Sequence, residues 1–458
     1  MKNTSEEQSL TEQLSAFLVA TQPADIPDPV IDAAKYYILD WLGSAIAGTA
    51  TEPGRILLGY AASKAGRGAT VMGLDEQRNA DLAALVNGSL SHIVEMDDLD
   101  RVSVVHPAAP IIPAALAVAE RERRSGLDFI TAVVLGYEVG IRVGEAVGKS
   151  HYYFWHNTAT CGVFGATAAA GHVLGLSQEQ MVWALGNAGT QASGLWEFIT
   201  DGAMSKHLHA GRAASSGVLA ADLAKRGLTG ARRILEGERG FFAATSKDAK
   251  PNSVIEGLTK GPKEYKIRGV SIKPHASCRH THPAIDAALA LRTHSGFQAR
   301  EIDSVRIETY RAAFDLTNDP NPTRPYSAKF SLQYCVGSAL WREHVKLQDF
   351  TPQAIRDQKV RQLMARTTVD FAPELEDRYP RQWPARVTVT LTDGRVLSEE
   401  VDHPKGDPEN PLTRAELEEK FKQLVAGTGY QGRATTLIQR VNQLEYLEKA
   451  HQLLATQL

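Results

Sequence analysis

Two stretches of this chain are apolar or small on nearly every side of a helix, and they fix its fold class more firmly than anything else in it. Asp128 to Val147 carries Val133, Val134, Gly136, Val139, Gly140, Ile141, Val143 and Gly144, and Cys161 to Leu176 contains GVFGATAAAG. A helix without a polar face belongs in the middle of other helices. The surrounding sequence supplies them. Asp28 as N-cap and Pro29 open a helix on which Val30, Ala33, Ala34, Tyr37, Ile38, Trp41, Leu42 and Ile46 recur at helical spacing. Helices are also expected over Asp81–Val94, Ile111–Arg124 and Met204–Arg226, and Ser177 with Gln180 forms a capping box for another.

The pattern changes near residue 265. YKIRGVSIKP and SVRIETY alternate like strands, and a helix is expected from Pro283 to about Thr293 between them. Ser331–Trp341 and Pro352–Arg366 read as helices. ARVTVTLTDGRVLSEEV reads as a hairpin turning at Asp393-Gly394. Thr413 and Glu416 start another capped helix, and the last thirty residues read as one amphipathic helix after a polar linker. The chain is therefore expected to be mainly α with a smaller α+β domain: a multihelical body over 1–265, an α+β lid over 266–405, and C-terminal helices over 406–458 returning to the body.

A length of 458 residues suits two or three domains, and a net charge of −3 gives no field for a polyanion, so nucleic acid is not an expected partner. Three distant cysteines (Cys161, Cys278 and Cys335) make no disulfide framework and suit a reducing compartment. The polar, acidic first dozen residues do not resemble a signal peptide, and no apolar run reaches the roughly 18 residues of a membrane span. A soluble, cytoplasmic protein is expected.

Chemistry concentrates in SHIVEMDDLDRVSVVHPAA, residues 91–109. His92, Glu95, Asp97, Asp98, Asp100, Arg101 and His106 are threaded there among Ile93, Val94, Met96, Leu99 and Val105. Ionisable groups so placed either pair inside the protein or line a cleft where their proton affinities are tuned. Three more clusters accompany it. His156 lies in HYYFWHNTAT, where a core histidine is the plain alternative. Lys206 and His209 lie three apart at the start of a helix, where cations oppose the dipole unless they face an anion together with the helix terminus. The fourth, IKPHASCRHTHP, holds Lys273, Cys278, Arg279, His280 and His282.

Histidine and cysteine in the fourth cluster invite a zinc reading, but no CxxC or HExxH occurs and Lys273 and Arg279 would repel a cation, so no metal is expected. No nucleotide-binding glycine motif and no GxSxG elbow is present, and no cofactor is expected. The cationic clusters beside an acidic, histidine-bearing stretch suit a small di- or tricarboxylate. Cations would hold its carboxylates while a histidine or carboxylate moves a proton at carbon. Removing a proton next to a carboxylate builds up negative charge that needs such cations.

HIVEMDDLDRVSVVHPAAPIIPAALA, HNTATCGVFGATAAA, DGAMSKHLHAGRAA, KPHASCRHTHPAIDAAL and HPKGDPENPLTRAEL stand in the order found in the MmgE/PrpD family, which the chain resembles from the Asp28 helix to about Val425. That family includes 2-methylcitrate dehydratase, cis-aconitate decarboxylase and iminodisuccinate epimerase. The resemblance implies a large helical domain with a smaller lid, a homodimer, and cofactor-free chemistry on polycarboxylates in a cleft between domains. It places the family's acidic active-site segment on His92 to Asp98, its histidine before proline on His106, and the histidine of W-H-x-T on His156. Its lysines fall on Lys206 and Lys273, and a variable Cys-or-His position on Cys278. Where the dehydratase and decarboxylase show D-F-D/N-D-T, this chain has Glu95-Met96-Asp97-Asp98-Leu99.

The expectation is a cofactor-independent lyase most like a 2-methylcitrate-type dehydratase. Decarboxylation, epimerisation and non-catalytic carboxylate binding are the alternatives. His106, Asp97, Asp98, Lys206 and His156 are the expected catalytic group. His92, Glu95, His209, Lys273, Cys278, Arg279 and His282 are the expected substrate contacts. His106 precedes Pro107, which biases it to extended backbone, so it is expected to project from the chain and exchange the proton; capping the next helix is its plainer alternative.

Overall fold

A computed structural model describes residues 8–258 and 264–455. They form two compact units. One comprises the chain up to Ile93, Asp97–Val270 and the chain from Arg414 onward; the other comprises Val94–Met96 and Ser271–Thr413. The protein is mainly α with a smaller α+β part.

The first unit is built on the two apolar helices, Gly126–Ala146 and Gly162–Leu174, which pack on each other. Ser125 and Asp128 cap the first reciprocally, and Gly175, in the left-handed region, ends the second. Their contact runs through glycines: a Cβ on Gly165 would come 2.6 Å from the Gly136 carbonyl oxygen. The Ser205–Lys225 helix packs on Gly162–Leu174, on Ala80–Ile93 and on Ala108–Arg121, and its own small residues permit this. The Asp28–Thr49 helix lies against Ala80–Ile93 and against Arg414–Val425. Asp28 occupies the first turn rather than the cap, which falls on Pro27 without a side-chain bond.

The second unit holds a four-stranded sheet, β1 (Ile302–Thr309), β2 (Thr367–Phe371), β3 (Ala385–Leu391) and β4 (Val396–Val401), in the order β2-β1-β3-β4. Only β1 and β2 run parallel. The β3–β4 hairpin turns where Gly394 takes φ 87°, as Asp-Gly predicts. The His282–Ser295 helix packs on β3 and β4.

Three expectations fail locally. YKIRGVSIKP holds no strand but a 3₁₀ turn over Lys266–Gly269; its alternation reflects Tyr265, Ile267 and Val270 turned into the first unit's core. The C-terminal segment is broken into the Ala434–Asn442 helix and short 3₁₀ turns, because Arg433 and Arg440 donate to the carbonyls of Leu453, Leu454 and Ala455 and fold the tail back. Pro352–Arg366 yields only a 3₁₀ turn and the Gln358–Met364 helix, separated by Asp357 as N-cap.

A buried histidine in the first unit gives the fold a pH dependence. His151 donates from Nδ1 to the Thr245 carbonyl (3.2 Å) and meets Thr160 Oγ1 at Nε2 (2.8 Å), and burial pushes its imidazole down to about 4. Between pH 6.5 and 4 the unfolded chain binds a proton there that the folded chain does not. Stability is therefore lost as pH falls through that window, on the order of 3 kcal/mol from this group by pH 4. Urea unfolding at pH 7 and pH 4.5 should give a smaller pH difference for His151→Gln than for wild type; equal differences would show that His151 stays neutral in neither or both states.

Candidate active site

The segment after Ile93 is held in a conformation that few sequences tolerate. Glu95 has φ 58° and Val104 φ 52°. For a β-branched residue such as Val104 this costs on the order of 1–3 kcal/mol and persists only where surroundings over-determine it. They do so here. Asp100 N–H bonds the Val105 carbonyl, Asp100 Oδ1 accepts from both Ser103 N–H (2.8 Å) and Ser103 Oγ (2.6 Å), and Asn157 Nδ2 donates to the Ser103 carbonyl. The resulting tight turn delivers His106, whose own N–H donates to Thr158 Oγ1 at 3.1 Å.

Asp98 anchors this turn. Its Oδ1 accepts the Ala108 N–H (3.0 Å) at the start of the Ala108–Arg121 helix, and its Oδ2 accepts the Tyr137 hydroxyl (2.7 Å). Burial pushes the Asp98 carboxyl well above the usual range; Tyr137 and Ala108 pull it back, and the charge of Asp97 adds to the rise. Asp98, not His106, therefore provides the side-chain acceptor at the start of that helix. Its backbone carbonyl lies 2.5 Å from His106 Nδ1. A carbonyl only accepts, so Nδ1 carries the proton and Nε2 is the basic nitrogen of the neutral ring.

Asp97 lies between two imidazoles. Its Oδ2 is 2.6 Å from His92 Nδ1 and 3.4 Å from His106 Nδ1. The His92 ring is edge-on to His106 (centroids 4.9 Å apart) and stacked on His156 (5.5 Å). His156 packs against Trp196, and its Nδ1 lies 3.2 Å from Nδ1 of His209 on the Ser205–Lys225 helix. Burial drives His156 well below the usual imidazole range, with His92 and Lys206 adding to it, and burial brings His209 down to about 4. Both are neutral at neutral pH. Asp97, Asp98 and His92 are fully enclosed, whereas His106 is 9% exposed and His209 is half-buried.

The first unit thus assembles His92, Asp97, Asp98, His106, His156 and His209, with Lys206 buried close enough to bias the charge of His156 and His209. In the second unit Lys273 pairs with Glu95 (Nζ to Oε2, 3.1 Å), whose Oε1 accepts the Tyr326 hydroxyl at 3.1 Å. Cys278 is half-buried, its N–H on the Lys329 carbonyl. Arg279 and His282 face a different task. Arg279 pairs with buried Asp407, donates to the Lys405 and Pro404 carbonyls and to His282 Nδ1, and His282 Nε2 donates to the Ser277 carbonyl. That network ties two loops of the second unit together.

Residues 12–254 match the MmgE/PrpD N-terminal domain, and residues 275–445 match the MmgE/PrpD C-terminal domain. The chain belongs to the MmgE/PrpD family. Relatives align along almost their whole length. The cis-aconitate decarboxylase-like protein oryM of Aspergillus oryzae is 28% identical over 98% of this chain and 97% of its own. The cis-aconitate decarboxylase of Homo sapiens is 28% identical over 96% and 92%, and that of Aspergillus terreus is 26% identical over 92% and 90%.

In this MmgE/PrpD protein the donor atoms of His92, Asp97 and His106 lie within 4.8 Å of one another, a separation that a metal ion could bridge, as do those of His403, Asp407 and Glu409. In the first, each ring directs its Nδ1–H to an acceptor, Asp97 for His92 and the Asp98 carbonyl for His106, so only the Nε2 atoms could act as ligands. In the second, Asp407 is neutralised by Arg279. Tyr137 and Tyr326 escape sequence reasoning. The signal for Tyr137 is a hydroxyl on an otherwise apolar helix, which needs a buried partner; nothing local marks Tyr326.

Proposed function

We propose that this protein is a cofactor-independent lyase acting on a small di- or tricarboxylate, with His106 as the group that moves the proton. One observation carries the reading. The His106 imidazole is fixed with its Nδ1 proton on the Asp98 carbonyl, which makes Nε2 the basic nitrogen of the neutral ring, and buried Lys206 lies in the same unit. An imidazole so held can take or give a proton at neutral pH without much tuning. Lys206 and the neutral His156 through one N–H hold carboxylates, and the family resemblance adds Lys273 as a further carboxylate contact. Two of the relatives named above are cis-aconitate decarboxylases and the third is a cis-aconitate decarboxylase-like protein, so decarboxylation of an unsaturated tricarboxylate is the reaction we favour. In it, His106 as imidazolium protonates carbon while the C–C bond to a carboxylate breaks and carbon dioxide leaves. Dehydration of a methylcitrate-type hydroxy acid is the second reading. It needs an acid and a base together, and the two imidazoles on Asp97 could supply both.

The assembly is taken to be a homodimer in a reducing, cytoplasmic compartment. Exposed Tyr153, Phe154, Leu195 and Leu208 are in keeping with a subunit contact, and no disulfide joins the cysteines among the described residues. No helix among the described residues is long and apolar enough to cross a membrane. The reading is tested by turnover assays on cis-aconitate and methylcitrate before and after exhaustive chelation. Full activity should survive; loss with chelator and recovery with one particular metal would overturn the cofactor-free chemistry. Lys273→Ala should raise KM by the equivalent of about 1.5–3 kcal/mol. Because that variant strands buried Glu95, the Lys273→Ala/Glu95→Gln pair is measured beside it; an unchanged KM in both would remove Lys273 from substrate binding.

A further inference from the structure

We propose that His92 is a second acid–base group of this site, its tautomer set by Asp97 as that of His106 is set by the Asp98 carbonyl. The inference deepens the function proposed above and rests on it for the catalytic part. His92 lies in the last turn of the Ala80–Ile93 helix, fully buried, with Nδ1 on Asp97 Oδ2 at 2.6 Å. Its Nε2 is buried and meets no hydrogen-bonding atom among the described residues. A purely structural histidine satisfies both nitrogens, since an unmet polar atom costs on the order of 1–3 kcal/mol. An unmet Nε2 in a cluster of imidazoles is instead placed to accept a proton or hydrogen bond from something that arrives.

Asp97 explains why that nitrogen is basic. An ionised carboxylate only accepts, so His92 keeps its neutral-form proton on Nδ1 and presents the Nε2 lone pair. The same oxygen lies 3.4 Å from His106 Nδ1, whose proton goes to the Asp98 carbonyl. Both rings thus carry the Nδ1–H tautomer, and the Asp97 carboxylate is close enough to favour the charge of whichever becomes imidazolium. In a dehydration the neutral ring takes the C–H proton at Nε2, and the imidazolium ring passes its Nε2 proton to the departing hydroxide. The C–H and C–O bonds break, C=C forms, water leaves, and the two rings end with their charges exchanged. In a decarboxylation the imidazolium donor gives one proton to carbon, and solvent water replaces it before the next turnover. The charged and titratable groups facing this pair are Asp97 and Asp98 on the same segment, His156 before the Asn157–Thr160 helix, and Lys206 and His209 on the Ser205–Lys225 helix.

Histidine-selective 15N NMR reads the tautomers without substrate. Wild type should show two rings, lost individually in His92→Gln and His106→Gln, protonated at Nδ1 with a basic Nε2. Asp97→Asn should shift the ring signals of His92. Unshifted His92 signals in Asp97→Asn, or neither ring being the Nδ1–H tautomer, would overturn the tautomer assignment. With a polycarboxylate that wild type converts, His92→Gln should lower kcat at least tenfold, with KM within threefold, and remove one limb of its pH profile. An unchanged profile and kcat within threefold would overturn the acid–base role of His92. Circular dichroism and the melting temperature identify a folding failure, in which case His92→Asn, which keeps an amide near Asp97, replaces it with the same criteria. If no polycarboxylate is converted by wild type, the functional reading falls and the catalytic part of the inference with it, while the NMR result still decides the tautomers.

Discussion

His106→Gln is expected to lower turnover by roughly 10²-fold or more, in line with general acid–base contributions, and to leave substrate affinity within a few fold. The expectation rests on placement. His106 keeps part of its ring exposed where His92, Asp97 and Asp98 are enclosed, and its Nδ1 proton is committed to the Asp98 carbonyl, which makes Nε2 the basic nitrogen of the neutral ring. Glutamine keeps an amide but has no group that titrates near neutrality. Asp98 is a poor competitor for the role, because Tyr137 and the Ala108 N–H already occupy its two oxygens. Steady-state kinetics on the converted polycarboxylate decide between them. Near-normal turnover in His106→Gln with turnover abolished in Asp98→Asn would assign the proton to a carboxylate.

Gly211→Val is expected to have the largest effect on stability, at or beyond the usual 1–3 kcal/mol of an overpacked core and enough to prevent accumulation of folded protein. Gly211 faces the Ala80–Ile93 helix so closely that even a Cβ would collide with the Leu85 carbonyl oxygen and Ser89 Oγ. Backbone cannot retreat there without moving the helix that carries His92. Gly269→Val meets open space in the same unit and serves as the control. Thermal unfolding of the two variants should separate them widely; similar melting temperatures would show that the helices can part at little cost.

Gly211 also marks how far the sequence could be read. The run Gly211, Ala213, Ala214, Ser215, Ser216, Gly217 announces close helix packing, but which glycine touches which carbonyl depends on partners more than a hundred residues away. The all-apolar helices were legible because burial on every face leaves no alternative. Lys266–Gly269 was not, because two or three alternating apolar residues fit a strand and a buried 3₁₀ turn equally well. At the candidate site, the crowding of Asp97, Asp98 and His106 among valines and leucines marked the segment before any coordinates. The division of labour within it could not be read. That Asp98 caps a helix, that Asp97 touches two rings and that Lys273 pairs with Glu95 are all consequences of where the chain turns. Arg279 shows the converse: a cation in a cluster suggestive of ligand binding spends itself on Asp407 and loop carbonyls.

The central claim is carbon chemistry on a polycarboxylate without a cofactor. Incubating the chelated protein with cis-aconitate, methylcitrate and iminodisuccinate in deuterated water, and following mass and label, tests it most directly. Loss of carbon dioxide or water from one of them, with deuterium at a defined carbon, is the result predicted. Label exchange without loss of mass would make the protein an epimerase, and neither turnover nor exchange with any of the three would contradict the lyase assignment outright.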